Sequence, residues 1–501
     1  MGQIRKQAII SSIVIYIGFL IGFVNTWFFI RSGNHAFTPD EYGLTRLFFD
    51  VGQLMFGFAA LGAVPVVYKF FPYYRSHLAK KQIDLYGWTL LLVLIGFLLV
   101  VAGGIIFEPL IVRKYSGRSA LFVNYYHWNF LFGFGILLFS LFEAYSWTYQ
   151  KTIATSFLRE TGLRLLTLVL ILLFISKLIS FDSFIKLFSF QFLILALALF
   201  IYLKLKTDLH FTFRQSVVTA KFKKKMTALA GYVYGGSIIV ILSQVADTII
   251  ISSVSKEGLH DAGIYNLSTY IANLIQVPQR SIVAITIPAL SLAWKNKNMH
   301  EISRIYSRTS INLLLAGLFI FLGIWLNIND AFQVLNIQGD YKTGIAVIFI
   351  LGITKIIDAG TGVNGQIIGT STQWKFDFTT GVILILLILP LNYFLVIKFG
   401  IIGSAYANLI SFTIYNFIRW VFLWKRYNLQ PFNSKTLLSI ILAAAAYFIC
   451  YYLLKNMSGW TGIILRSAVF TVLFVAGVFA MKLTPDAMQL VHVLKNRFKK
   501  S

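Results

Sequence analysis

The sequence is poor in cysteine, histidine and charge. Its one cysteine, Cys450, lies in an apolar stretch, which excludes a disulfide framework. Its seven histidines show neither HxxH nor HExxH spacing, so we expect no metal site and no redox chemistry. No P-loop segment of the GxxxxGKS or GxxxxGKT type is present, so the chain is not expected to bind ATP in that way.

Apolar residues dominate instead. They make up 58% of the 501 residues, while charged residues make up 12%, against about 25% in soluble proteins. The mean hydropathy is +0.76. A hydrocarbon core of about 30 Å is crossed by about 20 apolar residues, and on that measure we predict an all-α polytopic membrane protein with about fourteen spans. Their predicted limits are 8–30, 43–68, 85–107, 122–147, 152–176, 183–204, 228–254, 262–291, 309–326, 344–368, 376–397, 401–424, 436–454 and 461–482.

The formal net charge of +26 would suggest a nucleic-acid partner in a soluble protein. Here the basic residues concentrate in alternate loops, which is the pattern that orients membrane proteins. We therefore expect no nucleic acid, a bacterial cytoplasmic membrane location and both termini on the cytoplasmic side. The first span is followed by no small-residue cleavage site and is predicted to be a retained helix.

The chain is predicted to consist of two similar halves and a tail. Residues 38–65, TPDEYGLTRLFFDVGQLMFGFAALGAVP, match residues 259–288, LHDAGIYNLSTYIANLIQVPQRSIVAITIP, at an offset of roughly 220 residues. Repeated halves usually place a substrate path at their interface. The predicted organisation is an N-terminal lobe at 1–206 with helices 1–6, a basic cytoplasmic loop at 207–227, a C-terminal lobe at 228–424 with helices 7–12, and helices 13 and 14 with a basic tail at 425–501.

Several segments carry a family resemblance. They are GDYKTG, QVADTIIIS with the following AGIYNLSTYIANL, ITIPALS, and LNYFLVIKFGIIGSAYANLIS at 391–411. They resemble the polysaccharide exporter branch of the MOP superfamily, which contains the Wzx-type flippases of lipid-linked oligosaccharides. The resemblance implies two six-helix lobes in a V-shaped arrangement, two extra C-terminal helices, undecaprenyl-diphosphate sugars as substrates, and transport by alternating access.

Charges within the predicted spans indicate where an anionic head group would bind. A charged side chain at mid-membrane costs on the order of 3 kcal/mol unless it faces water or a partner. Arginine binds phosphate through a two-pronged set of donors. Glu160 and Arg164 are four residues apart and are expected to pair, leaving Arg164 a structural role. The predicted substrate-binding residues are Arg46, Arg159, Arg280, Lys355, Asp358, Tyr265 and Tyr270, with the two tyrosines stacking on sugar rings.

Three of these cations have an alternative interpretation. Arg46 lies one turn from Asp50, and Lys355 lies three residues from Asp358, so both could be paired within their helices. Arg280 could extend to the cytoplasmic interface.

A monovalent-cation site is a further prediction. Asp247, Asn392 and Asn408 fall at similar depth in spans seven, eleven and twelve, where carboxylate and amide oxygens could surround an ion. Some flippases of the resembled family bind sodium with an Asp, an Asn and a second Asp one turn later, but Val396 stands at that second position here. Hydrogen bonding between helices is the alternative role of the two asparagines.

The sequence thus predicts a flippase, not an enzyme, that moves a lipid-linked anionic oligosaccharide from the inner to the outer leaflet for cell-surface polysaccharide assembly. No cofactor is expected; a Na⁺ or H⁺ gradient and contacts with polysaccharide-assembly proteins are left open. The alternatives are a cation-coupled MATE-like exporter of small molecules, a membrane-embedded polysaccharide polymerase and a passive scaffold. The polymerase is disfavoured because the predicted external loops are short, and the scaffold leaves the intramembrane cations unexplained.

Overall fold

The computed structural model describes residues 2–486, with no side chain described for 2–13 or for residue 284. Helices form two compact units, one up to Gly263 and one from Ile264 onward. The first unit contains α1 Gly2–Ile30, α2 Pro39–Ala59, α3 Ala63–His77, α4 Leu85–Ile106, α5 Glu108–Tyr115, α6 Ala120–Asn124, α7 Tyr126–Thr148, α8 Thr152–Ser156, α9 Leu163–Ile175, α10 Phe181–Lys206, α11 Val217–Val254 and the start of α12 Leu259–Asn273. The second contains the rest of α12 with α13 Val277–Lys295, α14 Met299–Val334, α15 Ile345–Gly360, α16 Asn364–Thr370, α17 Trp374–Phe399, α18 Ile401–Tyr427, α19 Ser434–Leu454 and α20 Gly459–Ala480.

The chain is a multi-pass membrane protein. Within residues 2–486, ten helices are long and apolar enough to cross a membrane, or eleven if α2 and α3, bent by 50°, form one span. The described apolar part of α1 is the shorter Val14–Ile30. A π-helical stretch, Phe157–Gly162, separates α8 from α9, and a 3-10 turn, Leu274–Gln276, separates α12 from α13. Helices occupy all fourteen predicted ranges, but the count of fourteen spans is not confirmed.

The predicted sequence repeat has a structural counterpart inside the first unit. A Cβ built on Gly43 would lie 2.0 Å from the Leu259 carbonyl oxygen, and one built on Gly263 would lie 2.3 Å from the Pro39 carbonyl oxygen. The two contacts are reciprocal and share the offset seen in the sequence. Only glycine allows the starts of α2 and α12 to approach this closely.

The start of α2 is fixed by a capping box. The Glu41 amide donates to the Thr38 hydroxyl at 3.2 Å, and the Thr38 amide donates to the Glu41 carboxylate at 2.8 Å. Proline at the first helical position sacrifices no hydrogen bond, because that N–H has no intrahelical partner.

The basic inter-lobe loop is shorter than predicted. Helix α11 begins at Val217, and the hydroxyl of Ser216 caps it by accepting from the Thr219 amide at 3.2 Å. Asp84 strengthens this start by accepting from the Ser216 amide at 2.9 Å and from the Thr219 hydroxyl at 2.7 Å. Residues 221–225, KFKKK, therefore lie in the exposed first turns of α11. Lysine has a high helix propensity, and its charged end is solvated at this surface.

Helices α19 and α20 pack on α14 within the second unit. Arg466 of α20 forms an ion pair with Asp330 near the end of α14. At the opposite end, Asp486 accepts from Arg308 and, at 2.6 Å, from the Asn312 amide. Burial alone would raise the pKa of the Asp486 carboxyl, but these hydrogen bonds and the Arg308 charge hold it below its usual range. Helix α20 and the residues that follow it are thus attached to α14 at both ends.

Candidate functional site

The break between α12 and α13 organises a polar cluster in the second unit. Pro278 lies in the first turn of α13, where its missing N–H is tolerated, but it cannot continue the hydrogen-bond ladder from α12. The 3-10 turn at Leu274–Gln276 bridges the two helices. As a result the N-terminus of α13 lies near the middle of the segment 259–295. Gln276, Gln279 and Arg280 lie at this N-terminus.

Asp358 on α15 accepts hydrogen bonds from three amide groups. The Nε2 atoms of Gln276 and Gln279 lie 2.8 and 3.4 Å from its Oδ2, and Nδ2 of Asn416 lies 3.0 Å from its Oδ1. Because every partner atom is a donor, the arrangement suits an ionised carboxylate. The positive end of the α13 dipole favours the same charge state.

Asn416 links this carboxylate to the chain that follows α15. Its Oδ1 accepts from the Thr361 hydroxyl at 3.0 Å and from the Asn364 amide at 2.9 Å, and the side chain is almost fully buried. The Thr361 hydroxyl also donates to the Asp358 carbonyl at 2.8 Å. Asn416 therefore has one orientation, with its amide nitrogen toward Asp358.

A second charged group adjoins this cluster. Arg419, 6% exposed, forms an ion pair with Asp377 and donates to the Thr380 hydroxyl at 3.0 Å. Its guanidinium carbon lies 4.0 Å from the centre of the Tyr415 ring. Sequence reasoning missed Arg419, although an arginine inside span twelve and an aspartate at the start of span eleven were available signals.

Lys355 and Arg280 are the predicted cations of this unit. Lys355 is half-buried on α15, one turn before Asp358, and the predicted pairing of the two stays a prediction. Arg280 is exposed, and within residues 2–486 it forms no ion pair. It lies fifteen residues before Lys295, which places it about 22 Å along the helix axis from that interfacial end. The alternative that Arg280 extends to the cytoplasmic interface stays a prediction.

The cations of the first unit are largely paired. Arg159 forms an ion pair with the nearly buried Glu143, and Arg164 pairs with Glu160 at 2.9 Å, which confirms the predicted intrahelical pair. The pairing of Arg159 with Glu143 was not predicted from the sequence, because the two residues lie on different helical segments.

Arg46 lies among charges of its own unit. Its guanidinium carbon is 4.8 Å from the centre of the Tyr42 ring. Asp50, one turn further, interacts with Thr248 and with the charges of Arg46 and Asp247. The geometry is therefore compatible with the alternative interpretation, in which Asp50 on the same helix compensates the charge of Arg46.

Tyr265 is buried in this conformation, and its predicted stacking on a sugar stays a prediction. The side chain is 2% exposed, and its hydroxyl accepts from the Asn408 amide at 3.1 Å. Tyr270, by contrast, is half-buried.

The predicted cation site stays a prediction. Asp247 belongs to the first unit, and Asn392 and Asn408 belong to the second. Asn392 is fully buried, and the Asn408 amide also donates to the Ser404 carbonyl at 3.1 Å.

One group of potential metal ligands lies apart from these residues. Glu257, His260 and Asp261 place ligand atoms within 4.8 Å of one another. His260 already pairs with the exposed Glu257 at 2.9 Å, so the group is accounted for as a surface ion pair.

Comparison with solved structures identifies the fold. The lipid II flippase MurJ, in an inward closed conformation, matches with a TM-score of 0.72 over 96% of this chain and 99% of that chain, at 14% identity. An inward-facing multidrug resistance MATE family transporter of the MOP superfamily matches with a TM-score of 0.64 over 84% of this chain and 98% of that one, also at 14% identity. The chain has the MOP transporter fold. A MATE protein in complex with MaL6 matches less closely, with a TM-score of 0.54 over 85% of this chain and 96% of that one, at 15% identity.

No family model matches the sequence, and no curated protein matches it. The all-helical, MOP-like fold predicted from the sequence is confirmed by the structural matches. The Wzx-type specificity implied by the family resemblance stays a prediction.

Proposed function

We propose that this chain is a flippase that moves a lipid-linked oligosaccharide of the undecaprenyl-diphosphate type from the inner to the outer leaflet. It would do so by alternating access, without covalent chemistry, in a bacterial cytoplasmic membrane and for cell-surface polysaccharide assembly. The observation that carries the proposal is Arg280, an exposed cation about 22 Å from the C-terminal end of α13. A diphosphate is the kind of anion that would repay the cost of a charge at that depth.

The geometry around Arg280 suggests how such an anion would be bound and released. Arg280 lies in the first turn of α13, where backbone N–H groups and the helix dipole also favour anions. In the observed state Asp358 occupies the amides of Gln276 and Gln279. A phosphate entering beside Arg280 would compete with Asp358 for these donors. Binding of the phosphate would thereby be coupled to loss of the hydrogen bonds between Asp358 and the two glutamine amides.

The extent of the structural match supports the flippase assignment. The lipid II flippase aligns with 96% of this chain, whereas the MATE transporter aligns with 84%. Helix α20 and the residues after it are attached to α14 by the ion pairs Arg466–Asp330 and Arg308–Asp486.

A MATE-like exporter of small organic cations is the second candidate. The half-buried carboxylate of Asp358 favours it, because a cationic drug would bind an anionic site, and the fold serves both classes equally. The two candidates differ in the sign of the substrate charge, which makes Arg280 the discriminating residue.

The test measures transport by purified protein in liposomes. A fluorescent undecaprenyl-diphosphate sugar reports flipping, and a planar organic cation reports export. Arg280→Ala should reduce flipping about 10-fold to 100-fold, since a hydrogen-bonded charge contact contributes about 1.5–3 kcal/mol. Arg280→Lys should retain part of the activity because it keeps the charge.

The matched control is Arg304→Ala, which removes an exposed arginine of the same unit that pairs only locally with Glu301. It should leave flipping unchanged. Full flipping by Arg280→Ala, or cation transport that rises when Arg280 is removed, would reject the flippase assignment.

A further inference from the structure

An exposed aromatic pair lies beside the Arg159–Glu143 ion pair in the first unit. Tyr68 of α3 and Trp147 of α7 stack with ring centres 5.5 Å apart and planes 20° apart. Tyr68 is 38% exposed and Trp147 is 46% exposed, so ring surface remains available to a ligand. Tyr68 also lies within electrostatic range of Glu143 and Arg159.

The backbone places these groups in register. Glu143 and Trp147 are four residues apart on α7 and share one face of that helix, about 6 Å apart along its axis. The indole N–H of Trp147 donates to the Thr155 hydroxyl at 3.0 Å, which fixes the plane of the ring. Thr155 precedes Arg159 by four residues on the neighbouring segment. The aromatic pair and the ion pair thus form one continuous surface, termed the Trp147 platform.

The charged side chains of Arg159 and Glu143 indicate that this surface faces water. The Arg159 side chain is 40% exposed although it pairs with Glu143. An ion pair turned toward hydrocarbon would be strongly disfavoured. An aromatic pair beside an aqueous cation differs from an interfacial aromatic belt, in which the rings lie at the lipid head groups.

We infer that the Trp147 platform binds the first sugar of the lipid-linked substrate, with Arg159 contacting the adjoining phosphate. This inference rests on the proposed flippase function and assigns its sugar subsite. Rigid aromatic rings bind the C–H face of a pyranose by stacking, and they lose little conformational freedom in doing so. The axial rise of about 6 Å from Glu143 to Trp147 places the ring one helical turn from the ion pair. The platform takes the role that the sequence had assigned to Tyr265, which is buried.

The experiment compares two ligands. Undecaprenyl diphosphate and undecaprenyl-diphosphate-linked N-acetylhexosamine are titrated into purified full-length protein in nanodiscs, and binding is followed by thermophoresis. Wild-type protein should bind the glycosylated lipid about fivefold or more tightly than the bare diphosphate, the contribution of an aromatic stacking contact. Trp147→Ala should abolish that preference and leave binding of the bare lipid unchanged. The double variant Arg159→Gln, Glu143→Gln removes the charges together, leaves no buried unpaired acid, and should weaken both ligands.

Two controls separate stacking from other effects. Thr155→Val removes only the hydrogen bond to the indole and should reduce the sugar preference partly. Trp128→Ala removes a tryptophan from the opposite end of α7, where it contacts Phe190, and should have no effect. Failure of Trp147→Ala to fold would be detected by size exclusion, and Trp147→Leu with Tyr68→Leu would then replace it as an apolar pair that cannot stack.

Four results would overturn the inference. If Trp147→Ala weakened the binding of both lipids equally, or of neither, Tyr68 and Trp147 would be assigned to the interfacial aromatic belt. The flippase assignment would stand. Binding of a planar organic cation by wild type, lost in Trp147→Ala, would make the platform a drug site. Binding of neither lipid by wild type would reject the proposed function itself.

Discussion

Replacing Asp358 by asparagine removes one negative charge from the polar cluster at nearly constant side-chain volume. Two well-formed hydrogen bonds reach this carboxylate, from Gln276 at 2.8 Å and Asn416 at 3.0 Å. A hydrogen bond to a charged acceptor contributes about 1.5–3 kcal/mol, and one to a neutral acceptor contributes about 1 kcal/mol. Asparagine offers only one acceptor oxygen, so one of the two bonds should weaken and the other, whose donor would face an NH2 group, should be lost. Asp358→Asn should therefore lower the free energy of unfolding by at least about 2 kcal/mol.

Thermal unfolding in detergent measures this change. In a unit of this size, about 2 kcal/mol corresponds to a midpoint lower by about 4–8 °C. The control is Glu301→Gln, which neutralises an acid whose pair with Arg304 is exposed and contributes less than about 1 kcal/mol. A midpoint for Asp358→Asn that falls no further than this control would refute the assignment of Asp358 as an ionised hydrogen-bond acceptor.

The same variant tests the proposed competition between Asp358 and phosphate. Without the charge, the amides of Gln276 and Gln279 are held less firmly and are more available to the substrate. Asp358→Asn should bind the lipid-linked diphosphate several-fold more tightly and flip it more slowly, because release would no longer be assisted by the returning carboxylate. Weaker binding by the variant would contradict the competition and would place Asp358 in direct contact with the substrate.

Two further predictions concern the fold and its orientation. Gly43→Ala and Gly263→Ala should each lower the free energy of unfolding by about 1–3 kcal/mol, because the new Cβ would overlap a backbone carbonyl. The control Gly231→Ala, with open space around it, should leave stability unchanged. Equal unfolding midpoints in detergent for all three variants would contradict the close approach of α2 and α12. In a Cys450→Ala background, Lys223→Cys should be protected from an impermeant thiol reagent in intact cells and Asn336→Cys should be labelled, as the basic loops predict; labelling of both from outside would refute that topology.

Features that depend on local pattern were predictable from the sequence. Helices occupy every predicted span because apolar runs of about 20 residues have no other stable form in a bilayer. The repeat between 38–65 and 259–288 matches the reciprocal contacts of Gly43 and Gly263. The Glu160–Arg164 pair followed from a spacing of four residues on one helix.

Partners on different helices were not predictable in this way. Three amides donate to Asp358 although they are distant in the chain. Gln276 and Gln279 lie 82 and 79 residues before it, and Asn416 lies 58 residues after it. Helices in a bilayer are apolar on all sides, so their periodicity does not show which face meets a neighbour.

The sequence by itself determined the helices, their approximate limits, the repeat and the presence of costly charges within the membrane, since each follows from backbone hydrogen bonding and the transfer of side chains into hydrocarbon. The tertiary structure decided which charges are neutralised: it paired Arg159 with Glu143, surrounded Asp358 with amides and left Arg280 exposed. It also buried Tyr265 and exposed Trp147. These outcomes depend on how helices rotate and pack against one another, and small interhelical contacts rather than hydrophobicity set that rotation.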